Sequence, residues 1–565
     1  NENPEVPNTP NNPGNENPQV PNNPPVVNPP VVNPPNNPSP EVPNNPETDT
    51  LTSEQQEQVT TVIEAELVER KNRYSSPADQ LKNENFFTNN SILDVTGIAK
   101  NSSTMTVQQN TDGSIALLRS NPINNSVQTT PIQASEFNPE AEIQLARADV
   151  AASFDADSLE EVLPKIEQAF SLDYLNYLGK NIAEFETDIS VGEIQDNLSE
   201  VDKKYGTKAA VVYTFAQADQ LVLMAVTAKG DIIKKTITTT TRDELLEITQ
   251  QFRLEITDAR KRYAESYKPL AQQLYQWIIS PLEEALEAQE IDTILFVMDQ
   301  GLRGLPMAAL HDGEQFLIEK YNFSLIPSFS LMDIRDQPLN DPQVLAMGAS
   351  TFVEQPPLPA VPVEVQSITK EISGRYFLNE EFTIENFRKQ RITQPFNIIH
   401  LATHSEFNSG DQSNSYIQFW DTQLTLNNFK QLGWKWESPP AELFVLSACR
   451  TAVGDTNAEL GFAGLAVQAG VPSALASLWY VSDQGTLGLM VEFYNQLRKS
   501  SAISQAFRAA QIAMLRGIIT IESGYLMSAD ISDQIQLPSE LMNQGNIIFT
   551  HPYYWAGFTI IGSPW

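Results

Sequence analysis

From residue 342 onward, short apolar runs alternate with helical patterns, and this alternation restricts the fold more than any other feature of the chain. "QVLAMGAS", "NIIHLATH", "LFVLSAC", "SALASLWY" and the final "AGFTIIG" are strand-length and almost continuously apolar. A strand wetted on one side alternates polar and apolar residues, whereas one that is apolar throughout is buried on both faces. Between these runs lie "VEVQSITKEI", "ELGFAGLAVQAG", "TLGLMVEFYNQLR" and "ISQAFRAAQIAML", all with helical spacing. Strands separated by helices predict an α/β sandwich: a mostly parallel sheet with helices on both faces. Right-handed crossovers then gather the C-terminal strand ends on one rim, where open α/β sheets place their ligands.

Upstream, the pattern divides the chain further. Residues 1–50 consist almost wholly of Asn, Pro, Val and Glu, and neither Lys, Arg nor an aromatic residue occurs before Arg70. Such a segment cannot bury enough apolar surface to offset its ordering entropy, and it reads as a disordered, polyproline-like spacer. Residues 51–140 read as a helix, "TSEQQEQVTTVIEAELVERKNR", followed by a polar stretch that is either a loosely ordered arm or a few edge strands. Residues 141–340 read as a companion subdomain of helices and strands. It includes "KAAVVYTFAQADQLVLMAVTAKGDIIKKTIT", an antiparallel set turning at "AKGD", and the buried strand "DTILFVMD". Residues 341–565 form the sandwich.

Composition excludes several function classes. With 71 acidic and 36 basic residues the net charge is −35, and nucleic acid is excluded as a partner because phosphate binding needs a basic footprint. No apolar stretch approaches the length of a membrane span. Cys449 is the only cysteine, which rules out disulfides within the chain and cysteine-rich metal sites. No cofactor or metal is implied. The first residue is Asn1, which suits an exported mature protein that has lost a signal peptide, or equally a truncated cytoplasmic one.

Two of the four histidines, His400 and His404, stand four residues apart in "NIIHLATHSEFN". On a helix they would share a metal, but in a strand they are about 13 Å apart. The run from Ile398 to Thr403 reads as a buried strand, with Pro395 before it and the loop "SEFNSGDQSNS" after it. That leaves His400 within the strand and His404 at its C-terminal end. "LFVLSAC" ends likewise in Cys449. A thiol beside a histidine base on one rim can act as a nucleophile, with backbone N–H groups as oxyanion donors. A lone cysteine is as readily a small buried hydrophobe, and residue type alone leaves both readings open. Asp455 and Glu459 read as loop and helix N-terminal charges. His311 and His551 read as surface or packing residues, and Trp434 and Trp436 as packing of a side hairpin.

"NIIHLATHSEFN", "LFVLSACRTAVGD", "AELGFAGLAVQAGVPSALASLWYVSD" and "GTLGLMVEFYNQL" resemble the CHAT domain, a bacterial branch of the caspase-like cysteine peptidases related to separase. The resemblance starts upstream, with "VMDQGLRGLPMAAL" and "FLIEKYNFSLIPS", and covers roughly residues 200–565. It implies a caspase–haemoglobinase-like sandwich whose His–Cys dyad cleaves peptide bonds in protein or peptide substrates. His404 matches the catalytic histidine, Cys449 the nucleophile, and the backbone amides of Ser405 and Cys449 the oxyanion donors. Ser405 stands where caspase-like enzymes usually carry Gly, and Thr451 where caspases carry another. The companion region then reads as a degenerate caspase-like half, and the N-terminal region as a place for a regulatory protein partner. Two rivals stay open: a catalytically silent scaffold or interaction module, and a cysteine acyl-transferase.

For the substrate pocket the resemblance points to Ser447, to Gly348–Ser350 and to the segment Trp479–Asp483. None of these is basic, so cleavage after aspartate is not expected. Asp483 either faces the pocket and selects Lys or Arg, or caps the helix beginning near Gln484. Capping is the commoner fate of Asp before a helix.

Overall fold

The computed structural model describes residues 105–109, 115–119, 138–156, 158–180, 187, 189–332, 339, 341–432, 440–447, 450–451 and 456–565, apart from 529–533 and 543–544. The Pro/Asn-rich spacer, the helix read at 52–73, Trp434, Trp436, Cys449 and Asp455 lie outside the described residues. In the polar arm, Met105–Gln109 and Ile115–Arg119 pair as a two-stranded sheet.

One eleven-stranded sheet forms the frame. Its first side runs in the order Ile233–Ile237, Leu221–Thr227, Ala209–Ala216, Thr293–Val297 and Asn322–Leu325. The C-terminal strand Phe558–Gly562 comes next, followed by Ser473–Ser477, Leu443–Ser447, Ile398–Ala402, Val344–Gly348 and Gly374–Leu378. The five strands of this second side are mutually parallel. On the first side, Ala209–Ala216, Thr293–Val297 and Asn322–Leu325 are also parallel, and the Leu221–Thr227 and Ile233–Ile237 strands are antiparallel additions.

The C-terminal strand joins the two sides. Phe558–Gly562 is antiparallel to Ser473–Ser477 and parallel to Asn322–Leu325. The two sets of parallel strands therefore point in opposite directions, and the rim carrying the C-terminal ends of the second side carries the N-terminal ends of the first.

The apolar runs lie in the middle layer. Along Ala209–Ala216, residues Ala209, Val211, Tyr213 and Phe215 join one apolar cluster with the helices Pro139–Ala156, Leu159–Tyr177 and Val191–Tyr205. Ala210 and Val212 face the other way, into the cluster holding Leu245, Phe252, Leu274 and Ile278 of the helices Arg242–Thr257 and Lys268–Ile278. Alternate side chains thus feed two helical layers, which is why the strand reads as apolar throughout. On the second side, the helices Val361–Glu371 and Asp483–Leu497 pack against one another. This is the caspase–haemoglobinase-like sandwich expected from the sequence.

Two local features position the rim. Gly348, at the end of its strand, has no room for a side chain: a Cβ there would lie 2.5 Å from the Ala402 carbonyl oxygen and 2.7 Å from Val361. The close approach holds the Val361–Glu371 helix against the strand that leads to His404. A second, four-stranded sheet lies beyond the rim, in the order Gln423–Thr425, Tyr416–Gln418, Ser405–Phe407 and Arg450–Thr451.

Candidate active site

Register brings the two sequence-predicted strand ends together. Ile398–Ala402 and Leu443–Ser447 are adjacent and parallel, with Ala402 opposite Ser447, and the Thr403 amide donates to the Ser447 carbonyl at 3.1 Å. Two residues further along each chain are His404 and Cys449. On the far side, Glu406 pairs with Arg450 and Phe407 with Thr451. The two segments are therefore neighbours both before and after the His404 and Cys449 positions. Adjacent strands are about 4.8 Å apart.

His404 is almost fully enclosed, with 7% of its surface exposed. Phe352 meets its ring edge-on at 4.6 Å between centroids, and Tyr480 stacks at 6.2 Å with an 11° tilt. Nε2 lies 2.8 Å from the Pro356 carbonyl. A carbonyl can only accept, so Nε2 carries the proton, and in the neutral ring Nδ1 is the basic nitrogen. Burial pushes the His404 pKa below its usual value, against the opposing pull of the Pro356 carbonyl and Glu406. A base that stays neutral near pH 7 can take a proton from a thiol.

Ser405 opens the strand Ser405–Phe407 and lies opposite Ile417. The Gln418 amide donates to the His404 carbonyl at 2.9 Å, which makes Ser405–Ile417 a pair that exchanges no backbone bonds. The Ser405 N–H therefore points away from the hairpin, toward the side on which Arg450–Thr451 runs.

His400 occupies different surroundings. It is fully buried, with Nε2 3.0 Å from Glu364 Oε1 and Nδ1 3.1 Å from the Tyr494 hydroxyl. Protein groups engage both of its ring nitrogens. Ser447 donates to the same Glu364 oxygen at 2.7 Å. The two histidines of one motif thus belong to separate networks.

Beside the rim is a small cavity of about 10 Å³, bounded by Leu358, Val361, Glu364, Ser447, Tyr480, Val481, Asp483 and Thr486. Ser447 and the segment that contributes Tyr480, Val481 and Asp483 were singled out in the sequence, whereas Glu364 was not. Trp479 does not line the cavity. Its indole N–H donates to the Tyr553 carbonyl at 3.3 Å, and its ring packs beside Gly557, where Val481 leaves no space for a side chain. Gly348–Ser350 also lie outside it; the Ser350 amide donates to Asn379 Oδ1 at 2.9 Å.

The cap of the Asp483–Leu497 helix is Ser482, whose hydroxyl accepts from the Gly485 amide at 3.3 Å. Asp483 is therefore the first helical residue, and its carboxylate faces the cavity, where Oδ2 accepts from the Ala360 amide at 2.8 Å. Burial raises its pKa to about 7; the Ala360 amide opposes the shift and the Glu364 charge adds to it.

The other residues considered in the sequence act structurally. Glu459 stands in the first turn of the Thr456–Ala463 helix, as read, but it is fully buried, 3.2 Å from Arg253 Nη1, and accepts from the Gly301 amide at 3.1 Å. His311 Nδ1 accepts from the Gly313 amide, and His551 Nδ1 accepts from the Tyr553 amide at the start of a short helix. Among the described residues no group of three His, Cys, Asp or Glu side chains is arranged to hold a metal. No helix there is long and apolar enough to cross a membrane.

The fold is a mixed α/β sandwich with His404 at the C-terminal end of one of its parallel strands. The CHAT domain matches residues 268–563, more than half of the chain, and the chain belongs to this family. Among solved structures, the chain is similar to separase in the Saccharomyces cerevisiae separase–securin complex, at 12% identity and a TM-score of 0.42. That match covers 76% of this chain but 38% of the yeast one, so the chain spans well under half the length of that relative. It is also similar to the Arg-specific cysteine proteinase gingipain R, at 10% identity and a TM-score of 0.32, covering 57% of this chain and 74% of that one. The complex of the pro- and mature domains of the Porphyromonas gingivalis gingipain matches to the same degree, with 76% of that chain covered. No curated protein matches the chain.

Proposed function

We propose that this protein is a cysteine endopeptidase in which Cys449 attacks the scissile carbonyl and His404 serves as its acid–base partner. The observation that carries the reading is the register: Ala402 lies opposite Ser447, and Glu406 opposite Arg450, on either side of the dyad positions. His404 Nδ1 takes the thiol proton as the Cys449 sulfur bonds to the carbonyl carbon. The same nitrogen returns the proton to the leaving amine as the C–N bond breaks, and water then hydrolyses the thioester. The Ser405 and Cys449 amides are the proposed oxyanion donors. The Pro356 carbonyl fixes the tautomer and ring orientation throughout, as a positioning group.

The test is alkylation of Cys449 by an iodoacetamide-type probe, followed by cleavage of a peptide library. Fast labelling near pH 7 that slows at least tenfold in His404→Ala, together with His404-dependent peptide cleavage, supports the dyad. Labelling at the rate of an ordinary thiol, unchanged in His404→Ala, would sink it and leave a silent scaffold. Thioester formation with acyl transfer to an amine, and no net hydrolysis, would favour an acyl-transferase.

A further inference from the structure

We propose that a second cavity, between the helices Asp483–Leu497 and Ile503–Leu515, binds a small zwitterion, either a free α-amino acid or a short peptide. Its carboxylate lies on Arg508 and its ammonium on Asn322, among the acids Asp292 and Glu492. The cavity shares no residue with the one beside His404, and the proposal does not depend on the peptidase reading.

The first support is size and placement. The cavity has a volume of about 550 Å³, within the range of small-molecule sites. Asp292 stands directly before Thr293–Val297 and Asn322 opens Asn322–Leu325, while Glu492 and Arg508 come from the two helices. Those helices pack together and are joined by residues 498–502 alone, so they run antiparallel. Glu492 lies five residues before Leu497 and Arg508 five residues after Ile503, so the two stand level across the pair.

The second is a set of opposite charges that do not pair. Arg508 donates from Nε to the Ile318 carbonyl at 2.6 Å and from Nη2 to the Glu319 carbonyl, capping the short helix Leu317–Lys320. Its guanidinium reaches no carboxylate among the described residues, and Nη1 has no acceptor there. Burial and the nearby Arg516 push its pKa below the usual value, against Asp292 and Glu319. Glu492, 2% exposed, accepts from the Gln496 amide at 2.6 Å and the Ser528 hydroxyl at 2.8 Å. Asp292 accepts from the Lys208 backbone amide at 3.1 Å and the Thr293 hydroxyl at 2.6 Å. All four donors are neutral. Buried charges ordinarily pair, yet here one cation and two anions face the same cavity without an ion pair among them.

The third is Asn322, which is 6% exposed. Its Nδ2 donates to the Asp292 carbonyl at 3.2 Å and to Thr293 Oγ1 at 3.3 Å, while Oδ1 has no partner. A carbonyl can only accept, which fixes the amide's orientation and leaves Oδ1 as the atom short of a donor. Such orphaned acceptors are rare in protein interiors. A simple anion would serve Arg508 and leave Asn322 and the acids unserved; a simple cation would do the reverse. A zwitterion serves both. Ile512, Ala513 and Ile518 supply apolar surface for its side chain, which favours a leucine-like one.

Calorimetric titration of the full chain tests this with L-leucine and Leu-Gly as probes. Binding of either supports the site, and the tighter of the two tells the free amino acid from the peptide. Removing one charge from that probe, as its C-terminal amide or its N-acetyl derivative, should weaken binding at least about tenfold. Arg508→Gln should weaken it similarly, and Ala509→Phe, which fills the cavity without touching a charge, should abolish it. No heat from either probe at about 10 mM, or amide and acetyl derivatives that bind as tightly as the parent probe, overturns the proposal. Those comparisons use the unmodified chain, so they decide the matter even where a variant fails to fold. Binding that survives Ala509→Phe in a protein with the parent's melting temperature overturns the assignment to this cavity.

Discussion

Two regions of this molecule bury acidic side chains, and they solve the resulting problem in opposite ways. Around the loop that follows Thr293–Val297, Asp173, Asp299 and Glu459 are all buried and all face arginines. Arg303 reaches Asp173 at 2.6 Å and lies over the Tyr174 ring, Arg253 reaches Glu459, and Arg147 and Arg242 both reach Asp299. Here the surplus is in donors: Nε and Nη2 of Arg253, and Nε and Nη1 of Arg303, have no partner. Beside His404 the surplus is in acceptors, at Asp483 and Glu364, with no arginine or lysine among the lining residues. An acid surrounded by arginines is a clamp. An acid left short of donors has no such closure, and its charge is resisted by its own burial.

The clamp should give the largest effect. Glu459 joins the Thr456–Ala463 helix, which follows the Cys449 segment, to Arg253 on the Arg242–Thr257 helix and to Gly301 in the loop after Thr293–Val297. Glu459→Ala leaves a buried, unpaired guanidinium, and denaturant unfolding should show a loss of about 3–5 kcal/mol. Replacing the pair together, Arg253→Met with Glu459→Leu, should recover most of it, because the desolvation cost goes with the charges. If Glu459→Ala costs less than ~1 kcal/mol, the contrast between clamp and pocket collapses.

Next come the two histidines. His400→Ala empties a buried site, strands the Tyr494 hydroxyl and leaves Glu364 with Ser447 alone, for an expected loss of about 2–4 kcal/mol. His404→Ala removes a ring held by one carbonyl and two aromatic contacts, so its stability should change by less than about 1 kcal/mol while turnover disappears. A well-folded yet inactive His400→Ala protein would show that the buried network takes part in the chemistry.

How much of this could be read from the sequence depends on the range of the signal. The second-side strands were legible because each is apolar through its full length, and the His404 position followed from the end of one such run. The antiparallel C-terminal strand between two parallel sets was not legible, since nothing local to "AGFTIIG" states its direction. Glu364 was missed because a glutamate in an amphipathic helix ordinarily faces water. A signal did exist: it lies three residues after Val361 and four before Ile368, on the apolar stripe, where a carboxylate has no solvent. Glu459 does lie in the first turn of its helix, as read, but its buried partner was not legible, because Arg253 is about two hundred residues away. Tyr480 and Trp479 differ by one position, and adjacent residues face opposite ways, so the sequence named the segment but not the side chain that lines the cavity.

The pocket should also respond to pH in a way the clamp does not. Asp483 titrates at about 7 in the folded chain, and an unfolded aspartate near 3.9. A carboxyl whose folded value is raised contributes most to stability below about pH 4, and the contribution is lost as pH rises through 7. The groups facing it are Glu364 and Tyr480, with His404 behind Tyr480; neither of the first two supplies a cation near neutrality. Between pH 5 and 8 the parent should therefore lose on the order of 1–3 kcal/mol relative to Asp483→Asn. Parallel pH profiles for the two proteins would mean that Asp483 finds a counter-charge in the folded state.

The smallest expected effect separates the two neighbours at the start of the Asp483–Leu497 helix. Ser482 accepts from the Gly485 amide and so satisfies one of the helix's unpaired N–H groups, whereas Asp483 looks into the cavity. Ser482→Ala should cost about 1 kcal/mol by loss of the cap, with the pH dependence of stability unchanged. Asp483→Asn should do the reverse, flattening the pH dependence at no cost in stability above pH 7. Adjacent residues, one a cap and one a buried titrating group, would then reproduce in miniature the contrast between clamp and pocket. A Ser482→Ala protein that lost the pH dependence while keeping its melting temperature would show instead that the helix start acts as one unit, with charge and cap inseparable.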